Sequence, residues 1–499
     1  MLISDILLFF ILSIFLLSII INIPNGFYLI YLSLKGRKAI ITKAHFNLQK
    51  TKPNSEFPSF SLLLPVLNEE SQIKGLLDNM YNLEYSGSLE ILLLDDGSTD
   101  KTLKISKTYE EIFKKRNSSK FRIVERSNTF QESKGKFENL NRGLKSASGF
   151  IIGIIDADAR LEKDSIIKVA EAFLTSDENV VGIQIPWNHR NKGDSWLTKT
   201  FVTGIEIHQR IMQQGRSLIN AMIPTYGSGE FWLSSTLKSV KGWNDVITED
   251  IELSYRIQLQ NKKVNLSFDT YSNQLAPTSL SGFVQQQSRW ASGFFQTFRR
   301  LGPSILTGNI PRKSKLDSLL LMQFYGLPAI TYINFLCFSV LLLISTPEFK
   351  PLFWPEISVI IGISVTLLLS GLLCSILLQA FIFKKYLNNS FSVTLFWSTW
   401  LSLTGLALAP FFFKAMLEGL SPRKLKFKVT PKENNTKKGL KRFLPSSIIL
   451  TLVFVLHIIF ICILLFHAYS ILELSMFLSI LSYLLILLAI NVIFGVLSF

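Results

Sequence analysis

Five short polar runs in this 499-residue chain carry residue types and spacings suited to group transfer. Asp156-Ala157-Asp158 follows the apolar run Gly149–Ile155. Two aspartates at i and i+2 beyond a strand end can aim at one divalent cation, and hard oxygen ligands suit Mg2+ or Mn2+. Such a cation bridges diphosphate oxygens and neutralises charge growing on a leaving nucleotide. A bare DxD also occurs in many loops. Thr248-Glu249-Asp250 precedes a helical pattern over Ile251–Gln260. A sugar hydroxyl is a poor nucleophile until a carboxylate in hydrogen-bond reach takes its proton, and Asp250 or Glu249 offers one. The competing reading is a plain helix start, with Thr as cap and acids in the first turn.

Leu94-Asp95-Asp96-Gly97-Ser98-Thr99-Asp100 also follows an apolar run. Its carboxylates suit a base, a ribose or a metal, and the Asp-Gly-Ser piece equally suits an ordinary turn. In Gln286-Gln287-Ser288-Arg289-Trp290, Arg289 has the fork geometry for a diphosphate and Trp290 a flat face for a sugar ring or base. Arg and Trp beside a membrane segment also serve as interface anchors.

The elements that must hold these residues follow from the hydrophobic pattern. Phe60–Val66, Leu89–Leu94, Phe121–Val124, Phe150–Ile155 and Val180–Ile185 read as buried strands, with helical patterns at Ser71–Tyr81 and Leu103–Phe113 between them. Strand–helix alternation predicts an α/β domain with a mostly parallel sheet, which binds ligands at the carboxyl ends of its strands. The polar runs follow strands, as that rule requires.

Apolar residues make up 48% of the chain and charged residues 18%, too few charges for an ordinary soluble enzyme of this length. The excess lies in charge-free runs, which excludes a disordered or fibrous chain. Residues 6–34 hold no charge and suffice for one crossing, which needs about 20 apolar residues. Lys35, Arg37, Lys38 and Lys43 then place the following domain, 35–316, in the cytoplasm. Residues 317–499 read as a membrane domain with about four spanning helices. The basic loop 414–445 belongs inside, so one preceding run should not cross. Segment 386–413, the most polar, is expected to be interfacial or re-entrant. The net charge of +16 fits cytoplasmic loops and anionic lipid. No nucleic-acid-binding signature is present. Cys337, Cys374 and Cys462 have no CxxC spacing and read as packing residues.

Taken in order, Pro65-Val66-Leu67-Asn68-Glu69-Glu70, Asp95-Asp96-Gly97-Ser98, Asp156-x-Asp158, Thr248-Glu249-Asp250 and Gln286-x-x-Arg289-Trp290 resemble the membrane-embedded family 2 glycosyltransferases, which include cellulose, mannan, hyaluronan and chitin synthases. The resemblance spans roughly residues 55–435. Lys134-Gly135-Lys136 with Asn139-Leu140-Asn141 is similar to the family's helix start near the nucleotide, and Phe427-x-Val429-Thr430 to a cytoplasmic gating loop. Pro186–Asn191 and Thr248–Arg256 look most like the glucan and mannan synthase branches.

The resemblance implies a GT-A-like fold inserted between transmembrane helices and inversion at the anomeric carbon. It implies Glu69, Asp95, Asp96, Lys136 and Asp156 around a UDP- or GDP-hexose, Asp156 and Asp158 on the metal, and Asp250 as base beside Glu249. Gln286, Arg289 and Trp290 would meet diphosphate and acceptor. The expected activity is growth of a β-linked polysaccharide with coupled translocation, in a multi-pass protein of the plasma membrane. The alternative is transfer of a single sugar to a membrane lipid. A scaffold without activity is disfavoured by the intact acids and Arg. One departure stands out: where relatives often carry Gly-Thr-x-Gly-x-Trp-Arg, this chain reads Gly227-Ser228-Gly229-Glu230-Phe231-Trp232-Leu233, losing the final Arg and gaining an acid. No cyclic-dinucleotide domain is present, so regulation would need a partner subunit.

Overall fold

Strand β1 (Phe60–Val66), helix α1 (Glu70–Tyr81), strand β2 (Leu89–Asp95), helix α2 (Thr102–Lys114) and strand β3 (Ser119–Glu125) form where the apolar pattern predicts them, to within a few residues. The computed structural model describes residues 57–115, 119–126, 135–322 and 390–423, with isolated positions between 28 and 35, 324 and 333, and 376 and 384, and Leu425. The helix expected over 1–34, most of the membrane runs, Lys134 and the gating-loop residues Phe427, Val429 and Thr430 lie outside the described residues.

The chain continues through α3 (Lys136–Ser146), β4 (Ile151–Ile154), β5 (Arg160–Leu161), α4 (Ser165–Leu174), β6 (Val180–Gln184) and β7 (Trp187–His189). After α5 (Trp196–Ile207) comes a π-helical turn over His208–Gln213 and then α6 (Gln214–Leu218). Next are β8 (Glu230–Leu233), α7 (Ser234–Ser239), α8 (Glu249–Gln258), β9 (Lys263–Leu266) and β10 (Ser272–Gln274). Four helices complete the described chain: α9 (Leu280–Thr307), α10 (Arg312–Met322), α11 (Phe391–Ala407) and α12 (Ala409–Leu420).

Among the described residues one sheet has seven strands in the order β3-β2-β1-β4-β8-β6-β9. β1 pairs parallel with β2 and β4, β2 with β3, and β6 with β9. β8 alone runs antiparallel, between β4 and β6. The sheet is therefore mixed, and the mostly parallel expectation misses one strand. β8 is only four residues long and follows a glycine-rich loop, so neither length nor alternation marks it. β5, β10 and β7 form a second, three-stranded sheet. β2 is buried at every position, and apart from Glu90 and the terminal Asp95 its residues are apolar. Helices cover both faces: Ile73, Leu76, Leu77 and Tyr109 pack on one, Leu140, Leu144 and Leu253 on the other.

Among the described residues no single helix is long and apolar enough to cross a membrane. The segment expected to be interfacial or re-entrant, 386–413, overlaps the bent pair α11–α12, which passes that test only jointly, turns by 54° and continues as helix to Leu420, into the stretch expected to be the loop 414–445. Pro410, in the first turn of α12, cannot donate to the preceding helix and so breaks it there. α12 packs along α9, and α11 against α5. These helices put an apolar cluster of Phe201, Phe283, Phe295, Leu408 and Phe412 beside the α/β domain.

Candidate active site

The cavity at the carboxyl ends of β1 and β4 has a volume of about 700 Å³. Its polar end is lined by Glu69, Asp96, Lys136, Asp156 and Asp158, and its middle by Glu249, Asp250, Gln286, Arg289 and Trp290. Residues spread over more than 200 positions of sequence thus share one chamber.

Lys136 sits among these acids. Gly135, with φ of 107°, turns the chain into α3 so that Lys136 is the first helical residue. Its Nζ is 2.8 Å from Asp156 Oδ1 and 3.5 Å from Glu249 Oε1, and it donates to the Gly227 carbonyl at 3.0 Å. Although burial alone would lower its pKa, the charges of Asp156, Glu249 and Asp250 together raise it, so the amine stays cationic. Gly227 lies in the left-handed region, with φ of 76°. A Cβ there would stand 2.9 Å from Asp250 Oδ2 and 3.3 Å from Lys136 Nζ, so only glycine lets this loop pass between base and amine.

Thr248 is the residue before α8, yet its side chain caps nothing. Its hydroxyl lies 3.4 Å from that of Thr297 on α9. Glu249 faces Lys136, and Asp250 lines the cavity while its Oδ1 accepts from the Ile251 N–H at 2.8 Å. The run does begin a helix, but its side chains serve the cavity rather than the cap. Burial, then the charges of Glu249 and Glu230, push the Asp250 carboxyl well above the usual carboxylate range, against the pull of Lys136. Glu230, the acid added in the glycine-rich run, is buried on β8. Burial pushes its carboxyl up to about 7.

Gln286, Arg289 and Trp290 stand at i, i+3 and i+4 on one face of α9, all against the cavity. The Arg289 guanidinium is attracted to Glu249, Asp250 and Asp156, while burial dominates and lowers its pKa. Gly293 allows this docking: a Cβ there would meet Thr248 Cγ2 at 2.4 Å, so the helix carrying Arg289 lies directly on the loop carrying the acids.

The two aspartates after β2 part company. Asp95 Oδ2 accepts from the Gly97 and Ser98 backbone N–H groups at 3.0 and 3.1 Å, the work of a turn. Asp95 is not among the residues lining the cavity, whereas Asp96 is. Asp96 also lies 3.7 Å from Arg126. Adjacent residues beyond a strand point to opposite sides, and the sequence could not say which one faces the ligand.

Among the described residues no group of three or more His, Cys, Asp or Glu stands ready to hold a metal. Asp156 and Asp158 both face the cavity. Mg2+ is commonly bound by one or two carboxylates together with substrate phosphates, and this pair fits that use. Sequence reasoning missed Trp187, His189, His208 and Tyr226, which also line the cavity. For Trp187 and His189 the only signal was the Pro186–Asn191 run, read solely as a mark of likeness, and His208 and Tyr226 had none.

With this geometry in place, the class of the domain is clear. Residues 61–245 match the family described as Glycosyl transferase family 2, and in the structure they fold as an α/β domain. Among curated proteins, the chain is 28% identical over 322 residues to a beta-monoglucosyldiacylglycerol synthase of Nostoc sp., covering 63% of this chain and 64% of that protein. It is also 28% identical over 334 residues to a poly-beta-1,6-N-acetyl-D-glucosamine synthase of Staphylococcus epidermidis, covering 64% and 75%. The chain thus spans just under two thirds of the length of the first of these relatives. Among solved structures, a mannosyltransferase from Pyrobaculum calidifontis in complex with GDP-Man and Mn2+ aligns over 80% of this chain and 98% of its own, with a TM-score of 0.49 and 18% identity.

Proposed function

We propose that this protein transfers a sugar from a nucleotide-sugar to a hydroxyl of a membrane-lipid acceptor, with inversion at the anomeric carbon. One observation carries the reading: the cavity is amphipathic. Besides the acids and Lys136, its walls include Phe283, Phe294, Phe324, Leu406, Leu408 and Phe412, mostly contributed by α9 and the helices packed near it. A lipid tail finds apolar partners there, and a hydroxyl-rich glycan finds few. The name of the glucosyldiacylglycerol synthase relatives supports the same acceptor class.

The nucleotide-sugar lies at the polar end, beside Glu69, Asp96 and Lys136. Asp250 takes the proton of the acceptor hydroxyl as that oxygen bonds to the anomeric carbon. The bond from this carbon to the diphosphate breaks on the opposite face, and the nucleoside diphosphate leaves. The raised pKa of Asp250 makes it a stronger base once ionised. Lys136 and Arg289 supply positive charge to the leaving diphosphate. Bound by Asp156 and Asp158, Mg2+ or Mn2+ would supply further neutralisation of that leaving group. Gln286 and Trp290 orient the acceptor. The apolar runs and the basic loop 414–445 support a multi-pass membrane protein with this domain in the cytoplasm.

Polysaccharide synthesis is the second reading. The Trp187 and Trp290 rings, with centroids 6.2 Å apart, suit a sugar face, and the poly-N-acetylglucosamine synthase relatives point the same way. A labelled nucleotide-sugar separates the two. Membranes containing the protein are incubated with Mg2+ and extracted with organic solvent. Label in the lipid phase is expected; label in a high-molecular-weight, solvent-insoluble product would replace this reading by the second.

A further inference from the structure

We propose that His189, framed by Trp187, Phe201 and Trp290, forms a subsite for the hydroxyl-bearing headgroup of the acceptor. The inference rests on the lipid-acceptor reading and adds to it a specific polar contact.

His189 ends the short strand β7, in register with Gln274 of β10. It is 5% exposed, and it lines the same cavity as Asp250. Neither ring nitrogen has a hydrogen-bond partner. Its neighbours are aromatic: the Phe201 ring meets it edge-on at 5.3 Å, and Trp187 at 6.4 Å. Trp290 stands 6.1 Å from Phe201 and 6.2 Å from Trp187, which closes the frame around the acceptor end of the cavity.

A buried imidazole with both nitrogens unpaired is costly unless something bonds to it. Burial and the nearby Lys192 hold it neutral, with its pKa lowered to about 4. A neutral ring offers one donor and one acceptor. A hydroxyl also donates and accepts, so a glycerol or sugar headgroup satisfies both nitrogens, which a diphosphate, an acceptor only, does not. Gln286 Oε1 also lines this cavity without a partner, which adds a second acceptor for the same headgroup. The aromatic rings present faces to the C–H groups between the hydroxyls. Carboxylates crowd the donor end, so the negatively charged donor is held by Lys136 and Arg289, and the neutral acceptor is left to this uncharged box.

The test compares the full-length protein with His189→Phe, which keeps ring volume and stacking, and His189→Gln, which keeps a donor and an acceptor. Initial rates are measured in mixed micelles containing diacylglycerol or a glycosylated diacylglycerol, with donor and acceptor varied in turn. His189→Phe is expected to raise the acceptor KM about tenfold, while the donor KM and binding of the nucleoside diphosphate stay within twofold. His189→Gln is expected to recover at least half of that loss. An unchanged acceptor KM in His189→Phe, with or without a lower melting temperature, assigns the histidine to a structural water and overturns the proposal. A change confined to donor KM overturns it as well. If His189→Phe does not fold, His189→Gln decides: an acceptor KM within twofold of wild type together with loss of acceptor binding in Gln286→Leu supports the box, and an unchanged KM in both variants overturns it. Wild-type protein that labels no lipid removes the functional reading itself, and the subsite with it.

Discussion

In the proposed reaction Asp250 accepts a proton and then surrenders it. Burial and two neighbouring acids raise its pKa, and the charge of Lys136 opposes that rise. Asp250→Asn should lower transfer by about a thousandfold, within the range for loss of a general base, with nucleoside diphosphate binding changed less than twofold. Equilibrium binding alongside single-turnover rates checks both halves. Glu230 makes a separate prediction. The folded protein holds its proton up to about pH 7, whereas an unfolded chain releases it near 4.5. Between those values the native state binds more protons, so this residue makes stability fall as pH rises through that window. Glu230→Gln should flatten that fall and stabilise the protein above pH 7 by roughly 3 kcal/mol at most, read from unfolding midpoints across pH.

At the scale of elements, α9 is the plate on which the acceptor side is mounted. It touches the acid-bearing loop through Gly293, and it touches α12 where a Cβ on Gly419 would meet the Ser292 carbonyl at 2.4 Å. Gly293→Val should push α9 away from Thr248 and separate Arg289 from Asp250. Overpacking of this kind costs about 1–3 kcal/mol. The expected signature is a kcat loss larger than the stability loss explains, measured as rate and melting temperature on the same preparation. The sheet shows a similar dependence on close contact. β8 inserts antiparallel between β4 and β6, which brings Gly227 and Glu230 to the base from a part of the chain that no periodicity marked.

For the whole molecule, the catalytic domain and the flanking helices are joined by charge as well as by apolar packing. Arg216 Nε lies 3.1 Å from Asp317 Oδ1, and both side chains are essentially inaccessible. Tyr28 donates its hydroxyl to the same oxygen of Asp317. The N-terminal segment, α6 and α10 therefore meet at one buried ion pair. Removing one member of such a pair strands the other charge, so Asp317→Ala should destabilise the protein by about 3–5 kcal/mol. Thermal unfolding in detergent measures the loss. The paired change Arg216→Met with Asp317→Leu should recover much of it, because no isolated charge remains.

The sequence alone determined the reaction class and most of the acidic cluster. Asp156, Asp158, Glu249, Asp250 and Arg289 occupy local contexts that chemistry restricts: a strand end, a helix start and one face of a long helix. The buried strands were legible because a strand covered on both faces must be apolar throughout. The fold supplied what local pattern does not encode. Asp95 and Asp96 are neighbours of one type, and only the turn geometry decided which bonds its own backbone and which faces the cavity. β8 is too short to have a period. His189, Trp187 and Tyr226 carried no signal of their own as cavity residues until β7 and the loop before β8 set them around one chamber. The apolar part of the cavity wall likewise depends on which faces of α9, α11 and α12 meet, because a hydrophobic residue looks the same in sequence whether it packs a core or lines a cavity.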